Sequence, residues 1–268
     1  MGYGFSYKYI DEDFSIVHSL YNQKKIDHKL FAFIPATNHE DGYFIIGGIT
    51  DDKNYKYKGS LNVNSKYNTW GNTLKRISIG DEKYDIDVYA QIHSSHYDIV
   101  TSKRFFIFIL NTVLKEDIMN KNCERLTEGF KKGMIECNRT VIENKKDISF
   151  EFENITFTFP FINCFESFDS ISFSTFSYDT SLKEDQLDDI LYLGYPFIKQ
   201  FNLTVFNYED SSISFYSDFT KIITSTNVTN TLMVTKIYNI SIIIMFISLI
   251  HLLSMKLGNY KMIHYTLW

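Results

Sequence analysis

Apolar and polar residues alternate over short stretches in most of the chain before residue 217, and this period of two predicts β-strands. The strictest alternation lies in residues 148–161, ISFEFENITFTFPF, where two runs flank a Glu-Asn turn and predict a hairpin. The polar turn NHEDG between two apolar runs predicts another hairpin over residues 30–49. Short strands are also expected over residues 55–92 and 191–216. The pattern therefore predicts a mainly β domain.

Three other stretches have a helical or an ambiguous pattern. Apolar side chains recur at helical spacing in residues 14–26, and residues 182–190 are a short helix candidate. Residues 102–114, SKRFFIFILNTVL, fit either a helix or a buried strand, because periodicity does not separate the two in a short apolar run. The expected helices are therefore few and short.

The apolar run in residues 237–255, IYNISIIIMFISLIHLLSM, contains no formally charged residue and predicts a transmembrane helix. At 1.5 Å per residue such a helix spans about 28 Å, close to the roughly 30 Å hydrocarbon core of a bilayer. Lys256 and Lys261 follow the run and favour a cytoplasmic C-terminus. The alternative is a buried core helix. A glycolipid-anchor signal fits poorly, because a polar tail, residues 258–268, follows the apolar run.

Four N-x-Thr sequons, which begin at Asn138, Asn154, Asn202 and Asn227, favour the secretory lumen and a glycoprotein. Against this, the first 14 residues, MGYGFSYKYIDEDF, lack the charged-then-apolar pattern of a signal peptide. A protein inserted by its tail would keep its domain in the cytosol and its sequons unused. We expect instead that the sequence starts in the middle of an ancestral protein, and that its main domain is luminal or extracellular.

The charge balance excludes nucleic acid as an expected partner. The formal net charge is −5, the sequence pI is near 5.8 and no basic face stands out. The abundant Phe and Tyr residues are typical of packed strands, and the chain is too apolar for a disordered one. The three cysteines allow one disulfide and one leftover thiol.

Several segments, taken in order, resemble the pepsin family of aspartic peptidases. MGYGF resembles the end of that family's G-I-L-G-L-G-Y motif, and GYFIIGGIT resembles its G-x-(L/I)-x-(F/I)-G-G-I-D segment. Residues 55–61 and 70–74 resemble its Y-x-G-x-L and W-x-(V/I)-x-L elements. LYLGYPFIKQFNLTVFNYEDSSISF is similar to its w-I-L-G-D-x-F-(L/I)-R-x-Y-Y-x-V-F-D segment. The resemblance spans roughly residues 2–216.

The resemblance implies a fold of two similar β lobes, each of which donates one Asp from an Asp-(Thr/Ser)-Gly loop. In such a dyad two carboxylates about 3 Å apart share one proton, because both cannot ionise together. One member then acts as a base on water and the other as an acid toward the substrate carbonyl. The implied activity is that of an aspartic endopeptidase, a hydrolase that carries out proteolysis.

This sequence departs from the family at the second catalytic loop, where it reads YAQIHSSHYDIVT. His93 stands at the Asp position and Ser95 at the Gly position, so the vestigial loop is His93, Ser94, Ser95 and His96. Tyr195 replaces the Asp that usually follows L-G. The 268 residues contain no Asp-(Thr/Ser)-Gly, so we expect a pseudoenzyme with no catalytic residues.

The resemblance also implies a domain organisation. Residues 1–50 correspond to a remnant of the N-terminal lobe and interlobe strands, and residues 51–219 to the pepsin-like C-terminal lobe. A polar stalk over residues 220–235, a single transmembrane helix over 236–257 and a short tail over 258–268 follow. The incomplete bilobal fold would lack the first Asp loop.

The resemblance further places a disulfide between Cys137 and Cys164, which fall where the family's C-terminal lobe closes a disulfide loop. The pairing of Cys123 stays open. His93 and His96 form an H-x-x-H pair, but zinc requires further ligands, so we expect neither a metal nor a cofactor.

Three rival interpretations remain beside the inactive peptidase. A homodimeric peptidase would need one Asp-(Thr/Ser)-Gly in each chain. A non-catalytic membrane protein could bind a peptide or protein ligand, and a lone lobe would expose an apolar face that a partner must cover. A truncated gene model would regain its first lobe from the missing half, yet His93 would stay in place.

Overall fold

The computed structural model describes residues 15–36, 41–48, 55–64, 69–94, 96–127, 133–168, 170–177, 190–217 and 221–224. All of these lie within one compact unit, Met1–Thr224. The predicted helix over 182–190 falls outside this part of the chain except for its last residue, which belongs to a strand. The predicted transmembrane helix over 236–257 also lies outside it. Within the described residues, no helix has the length and apolarity needed to cross a bilayer.

The mainly β architecture expected from the alternating pattern is confirmed, with seventeen strands in the described residues. The strands, in chain order, are β1 (Leu30–Ile34), β2 (Tyr43–Ile46), β3 (Tyr57–Asn62), β4 (Gly71–Ile79), β5 (Glu82–Ile92), β6 (Ile99–Val100), β7 (Cys123–Arg125), β8 (Ile135–Asn138), β9 (Ile148–Phe152), β10 (Ile155–Phe159), β11 (Phe165–Phe168), β12 (Ile171–Ser174), β13 (Phe176–Ser177), β14 (Ile190–Leu193), β15 (Leu203–Asn207), β16 (Ser212–Tyr216) and β17 (Lys221–Thr224).

The helices between the strands are short, as expected. They are α1 (Ile16–Asn22), α2 (Lys103–Phe108), α3 (Lys115–Met119), α4 (Arg139–Glu143) and α5 (Tyr195–Ile198), with a π-helical turn at Ile109–Val113 and a 3₁₀ turn at Phe161–Cys164. The ambiguous residues 102–114 are therefore helical. Ser102 caps α2, because its hydroxyl accepts a hydrogen bond from the backbone N–H of Phe105 at 3.2 Å.

A five-stranded sheet has the order β2-β1-β15-β16-β3. The predicted hairpin over residues 30–49 is present as the antiparallel pair β1–β2. Strand β1 also pairs with β15, so that Phe31 lies opposite Phe206 and their rings stack with centroids 4.7 Å apart. Strands from the early part of the chain and from its later part are thus joined in one sheet.

An eight-stranded sheet has the order β13-β6-β14-β5-β4-β9-β10-β17. The hairpin predicted for residues 148–161 is confirmed as β9–β10, and every second side chain in both strands is buried. Strand β17 pairs with β10 at the edge of the sheet. Lys221–Thr224 therefore belong to the sheet, and the β-branched run Ile-Ile-Thr in this segment favours strand pairing.

A four-stranded sheet, β11-β12-β8-β7, corrects the expected disulfide. Cys123 lies directly opposite Cys137 in the antiparallel pair β7–β8, with Cα atoms 4.0 Å apart, and these two residues form the disulfide. Asn138 donates its backbone N–H to the carbonyl of Asn122 beside them, so the cysteines occupy a non-hydrogen-bonded pair, where strands approach most closely. Cys164 is a free, buried thiol in the 3₁₀ turn, so the prediction of a Cys137–Cys164 bond is wrong.

The core is dominated by phenylalanine. Phe157, Phe197, Phe201 and Phe215 form a cluster in which the ring centroids of contacting pairs are 4.6–6.2 Å apart. Each of these rings is at most 1 % exposed. Burial of one such side chain contributes about 1.5–3 kcal/mol to the free energy of folding, so this cluster holds β10, α5 and β16 together.

Candidate functional site

The loop that follows β5 is fixed by a strand from much later in the chain. Strand β14 lies between β5 and β6, parallel to the first and antiparallel to the second. Leu193 pairs with both Ile92 and Ile99, and its carbonyl accepts a hydrogen bond from the backbone N–H of His93 at 3.0 Å. His93 is therefore the first residue past the sheet, at the start of a tightly held loop.

The glycine after β14 makes this arrangement possible. A Cβ atom on Gly194 would lie 2.2 Å from the carbonyl oxygen of Asp98 and 2.5 Å from that of His96, so only glycine fits under the loop backbone. Tyr195 then donates its backbone N–H to the carbonyl of His96 at 2.8 Å. The backbone of the loop is thus clamped from both sides.

Two imidazole rings meet on this loop. The rings of His93 and His96 lie edge to face with centroids 4.7 Å apart, and Tyr192 lies 4.9 Å from the His96 ring. The nearest carboxylate oxygen of Asp98 is 4.0 Å from Nδ1 of His96. Burial lowers the pKa of His93 below its ordinary value, and the positive charge that His96 can carry lowers the pKa of His93 further.

These side chains offer different chemistry from that of an aspartic dyad. An imidazole cannot replace one of two carboxylates that share a proton, because its charged form is a cation. Within the described ranges, no group of three or more His, Cys, Asp or Glu side chains is arranged to hold a metal ion. The local groups can accept or donate protons and can bind a cation through Asp98.

Of the predicted loop residues, the two histidines are in contact and Ser94 is exposed to solvent. His93 and His96 are half-buried and in contact, whereas Ser94 is exposed in the turn between them. Ser95 lies outside the described residues. Tyr195 begins α5 and is 38 % exposed.

Sequence reasoning missed Asp98, Tyr192 and Gly194. Asp98 and Tyr192 reach the site through strand pairing between distant segments, which no local pattern shows. Gly194 did have a local signal, because it follows Leu193 at the end of an apolar run. A glycine at the end of a strand often marks a place where another backbone segment approaches closely.

A cleft of about 520 Å³ opens beside the loop, toward the four-stranded sheet. Its lining combines carboxylates, hydroxyls and apolar side chains: His96, Tyr97, Asp98, Met134, Glu166, Phe173, Ser174 and Thr175. The loop thus contributes one wall, and residues of β11, β12 and the chain just before β8 contribute the other.

The candidate glycosylation sites differ in exposure. Asn138 and Asn154 are exposed, and Asn154 lies in the turn between β9 and β10. Asn202 is half-buried, and the Thr204 of its sequon is fully buried in β15. Asn227 lies outside the described residues. Among the described sequons, Asn138 and Asn154 therefore have exposed asparagines, and that of Asn154 lies in a hairpin turn.

Comparison with known proteins supports the family suggested by the motifs. The family model described as eukaryotic aspartyl protease matches residues 1–217. A comparison with curated proteins gives no match. Because the family model covers most of the chain, including every strand up to β16 and the loop at His93, the chain belongs to the eukaryotic aspartyl protease family.

Proposed function

We propose that this protein is a catalytically inactive member of the aspartyl protease family that binds a peptide or protein segment. The observation that carries the proposal is the position of His93. It follows β5 directly and is held by Leu193, at the point where the family resemblance places the catalytic Asp. The dyad mechanism requires a carboxylate there.

The surroundings of His93 support inactivity. The aromatic rings near it include that of His96, with centroids 4.7 Å apart, and that of Tyr192, at a longer distance of 6.0 Å. The lowered pKa of His93 favours a neutral imidazole, which can neither carry the negative charge of the missing carboxylate nor share a proton in the same way. Asp98, on the same loop, lies in the cleft beside His96 and not at the Asp position.

The cleft supports a binding role. Its volume of about 520 Å³ falls within the range of about 300–1,000 Å³ that is typical of ligand sites, and its lining mixes apolar and charged groups. We also propose that a single helix over residues 236–257 anchors the protein in a membrane, with the main domain luminal or extracellular. The apolar run and the sequons support this topology.

The proposal is tested by cleavage of an unfolded protein substrate at acidic pH. The full chain, purified in detergent micelles and shown to be folded by a cooperative thermal transition, is assayed with and without pepstatin beside an active family member. We expect no pepstatin-sensitive cleavage by this chain. Cleavage that pepstatin blocks would overturn the proposal, and loss of that cleavage in Asp98→Asn would identify the acid responsible.

A further inference from the structure

The polar groups on the floor of the cleft are already used by the fold. Ser174 accepts a hydrogen bond from the backbone N–H of Ile135 at 2.9 Å, and Thr175 donates its hydroxyl to the carbonyl of Cys164 at 2.6 Å. The backbone carbonyl of Thr175 also accepts a hydrogen bond from the backbone N–H of Ile99 at 2.7 Å. Both hydroxyls therefore already have backbone partners, so the selection of a ligand is better sought in other groups of the cleft.

The two carboxylates of the cleft are in a different situation. Within the described part of the chain, neither Asp98 nor Glu166 is in a hydrogen bond, and both line the same cavity from opposite walls. Lys199 interacts electrostatically with Glu166, but it does not line the cleft. The lining contains no Lys or Arg, and its one basic side chain is His96, whose Nδ1 lies 4.0 Å from the Asp98 carboxylate. While His96 is neutral, the two carboxylates are the charged groups of the cleft that a cation could bind.

The apolar part of the lining suits the stem of a long basic side chain. Met134 and Phe173 are half-buried beside the carboxylates, and the Tyr97 ring, 82 % exposed, stands at the mouth of the cleft. Arginine and lysine place their methylene stems along such surfaces while the charged head reaches a carboxylate or an aromatic face.

We infer that the cleft between the His96–Asp98 loop and the four-stranded sheet binds the basic side chain of a peptide segment, with Glu166 and Asp98 as its charge partners. The inference rests on the proposed binding function and names its ligand class. It concerns carboxylates away from the position of His93, so it does not depend on whether the chain can cleave a peptide bond.

Two peptides test the inference with the full chain in detergent micelles. The first is a fluorescein-labelled nonapeptide of glycine and serine with one central arginine, and the second carries citrulline at that place, which keeps the shape and removes the charge. Fluorescence polarisation is expected to show at least about tenfold tighter binding of the arginine peptide. Glu166→Gln and Asp98→Asn should each lower the ratio of the two dissociation constants by about fivefold or more.

Glu153→Gln provides the matched control. Glu153 is an exposed acid in the β9–β10 turn, outside the cleft lining, so this variant loses the same charge and should keep the preference for arginine. Equal affinity for the two peptides, no binding of either, or an unchanged preference in both cleft variants would overturn the inference. The cleavage assay decides the inactivity of the chain separately, so failure of one proposal is distinguishable from failure of the other.

Discussion

The imidazole rings of His93 and His96 lie edge to face, with centroids 4.7 Å apart, on a loop whose backbone is clamped by Leu193 and Tyr195. Two cations at this separation repel each other, and the clamped backbone limits how far the rings can separate. The pair therefore makes the loop sensitive to pH.

Acidification should destabilise the wild-type protein partly through His93. Its folded-state pKa lies below the ordinary value of 6.5, so the unfolded state binds more protons as the pH falls below 6.5, and folding stability is lost in that window. His93→Asn should reduce the loss of melting temperature between pH 7.5 and pH 5.0. His96→Asn should also reduce this loss of melting temperature, because the charge of His96 is one of the two causes that lower the pKa of His93. An unchanged difference in both variants would contradict this account.

Gly194→Ala should strongly destabilise the lobe. The added Cβ would meet two backbone carbonyl oxygens at 2.2 and 2.5 Å, and backbone atoms cannot move aside as a flexible side chain can. We expect a loss of about 1–3 kcal/mol or more in the free energy of unfolding, measured by urea denaturation.

Gly48→Ala is the matched control for this substitution, because its added Cβ would have no neighbour within 4 Å. Its effect should stay within about 0.5 kcal/mol. Equal stability of the Gly194→Ala variant and the wild type would show that the loop does not lie on Gly194 as described.

The disulfide can be checked by chemical labelling. Alkylation of the unfolded, unreduced protein followed by peptide mapping should label Cys164 and leave Cys123 and Cys137 unmodified. Replacing both bonded cysteines by serine should cost about 3 kcal/mol, as expected for a closed loop with a separation of 14 residues. Label on Cys123 in a protein made under oxidising conditions would refute the pairing.

Phe157→Ala tests the central aromatic cluster. The ring is fully buried and contacts Phe197, Phe201 and Phe215, so its removal should cost about 3–5 kcal/mol in the free energy of unfolding. Tyr97→Ala removes an aromatic ring that is 82 % exposed and should change stability by no more than about 0.5 kcal/mol. Similar losses in the two variants would argue against the packing described.

The proposed topology predicts a glycan at Asn154. When the full chain is expressed in a eukaryotic secretory system, endoglycosidase should shift its mobility on a gel, and Asn154→Gln should remove part of that shift. Alkaline carbonate should leave the protein in the membrane pellet. A chain that is not glycosylated and is released by carbonate would contradict both the luminal domain and the membrane anchor.

Features set by neighbours in sequence were predictable. The hairpin β9–β10 followed from strict alternation, because one face of each strand is buried in the core. The hydrophobic periodicity of residues 102–114 did not distinguish a helix from a buried strand. Ser102, which caps α2, was nevertheless a local signal for the start of a helix.

Features set by pairing of distant strands were not predictable from local pattern. The wrong disulfide illustrates this, because the choice among three cysteines depends on which strands become neighbours, and β7 pairs with β8 in a register that places Cys123 opposite Cys137. The cleft is a similar case, since Asp98 lies in the loop before β6 and Glu166 lies in β11 of the four-stranded sheet. The family resemblance located the loop at His93 but carried no information about its cleft.

The position of β14 between β5 and β6 has a consequence for how the protein is made. The partner of Ile92 in β14 is synthesised about a hundred residues after β5, so the loop at His93 stays unordered while those residues emerge from the ribosome. Until then the β5 edge has open backbone donors and acceptors that could pair with another nascent chain. Refolding should accordingly be slow, and chaperones that cover strand edges should increase the yield of folded protein.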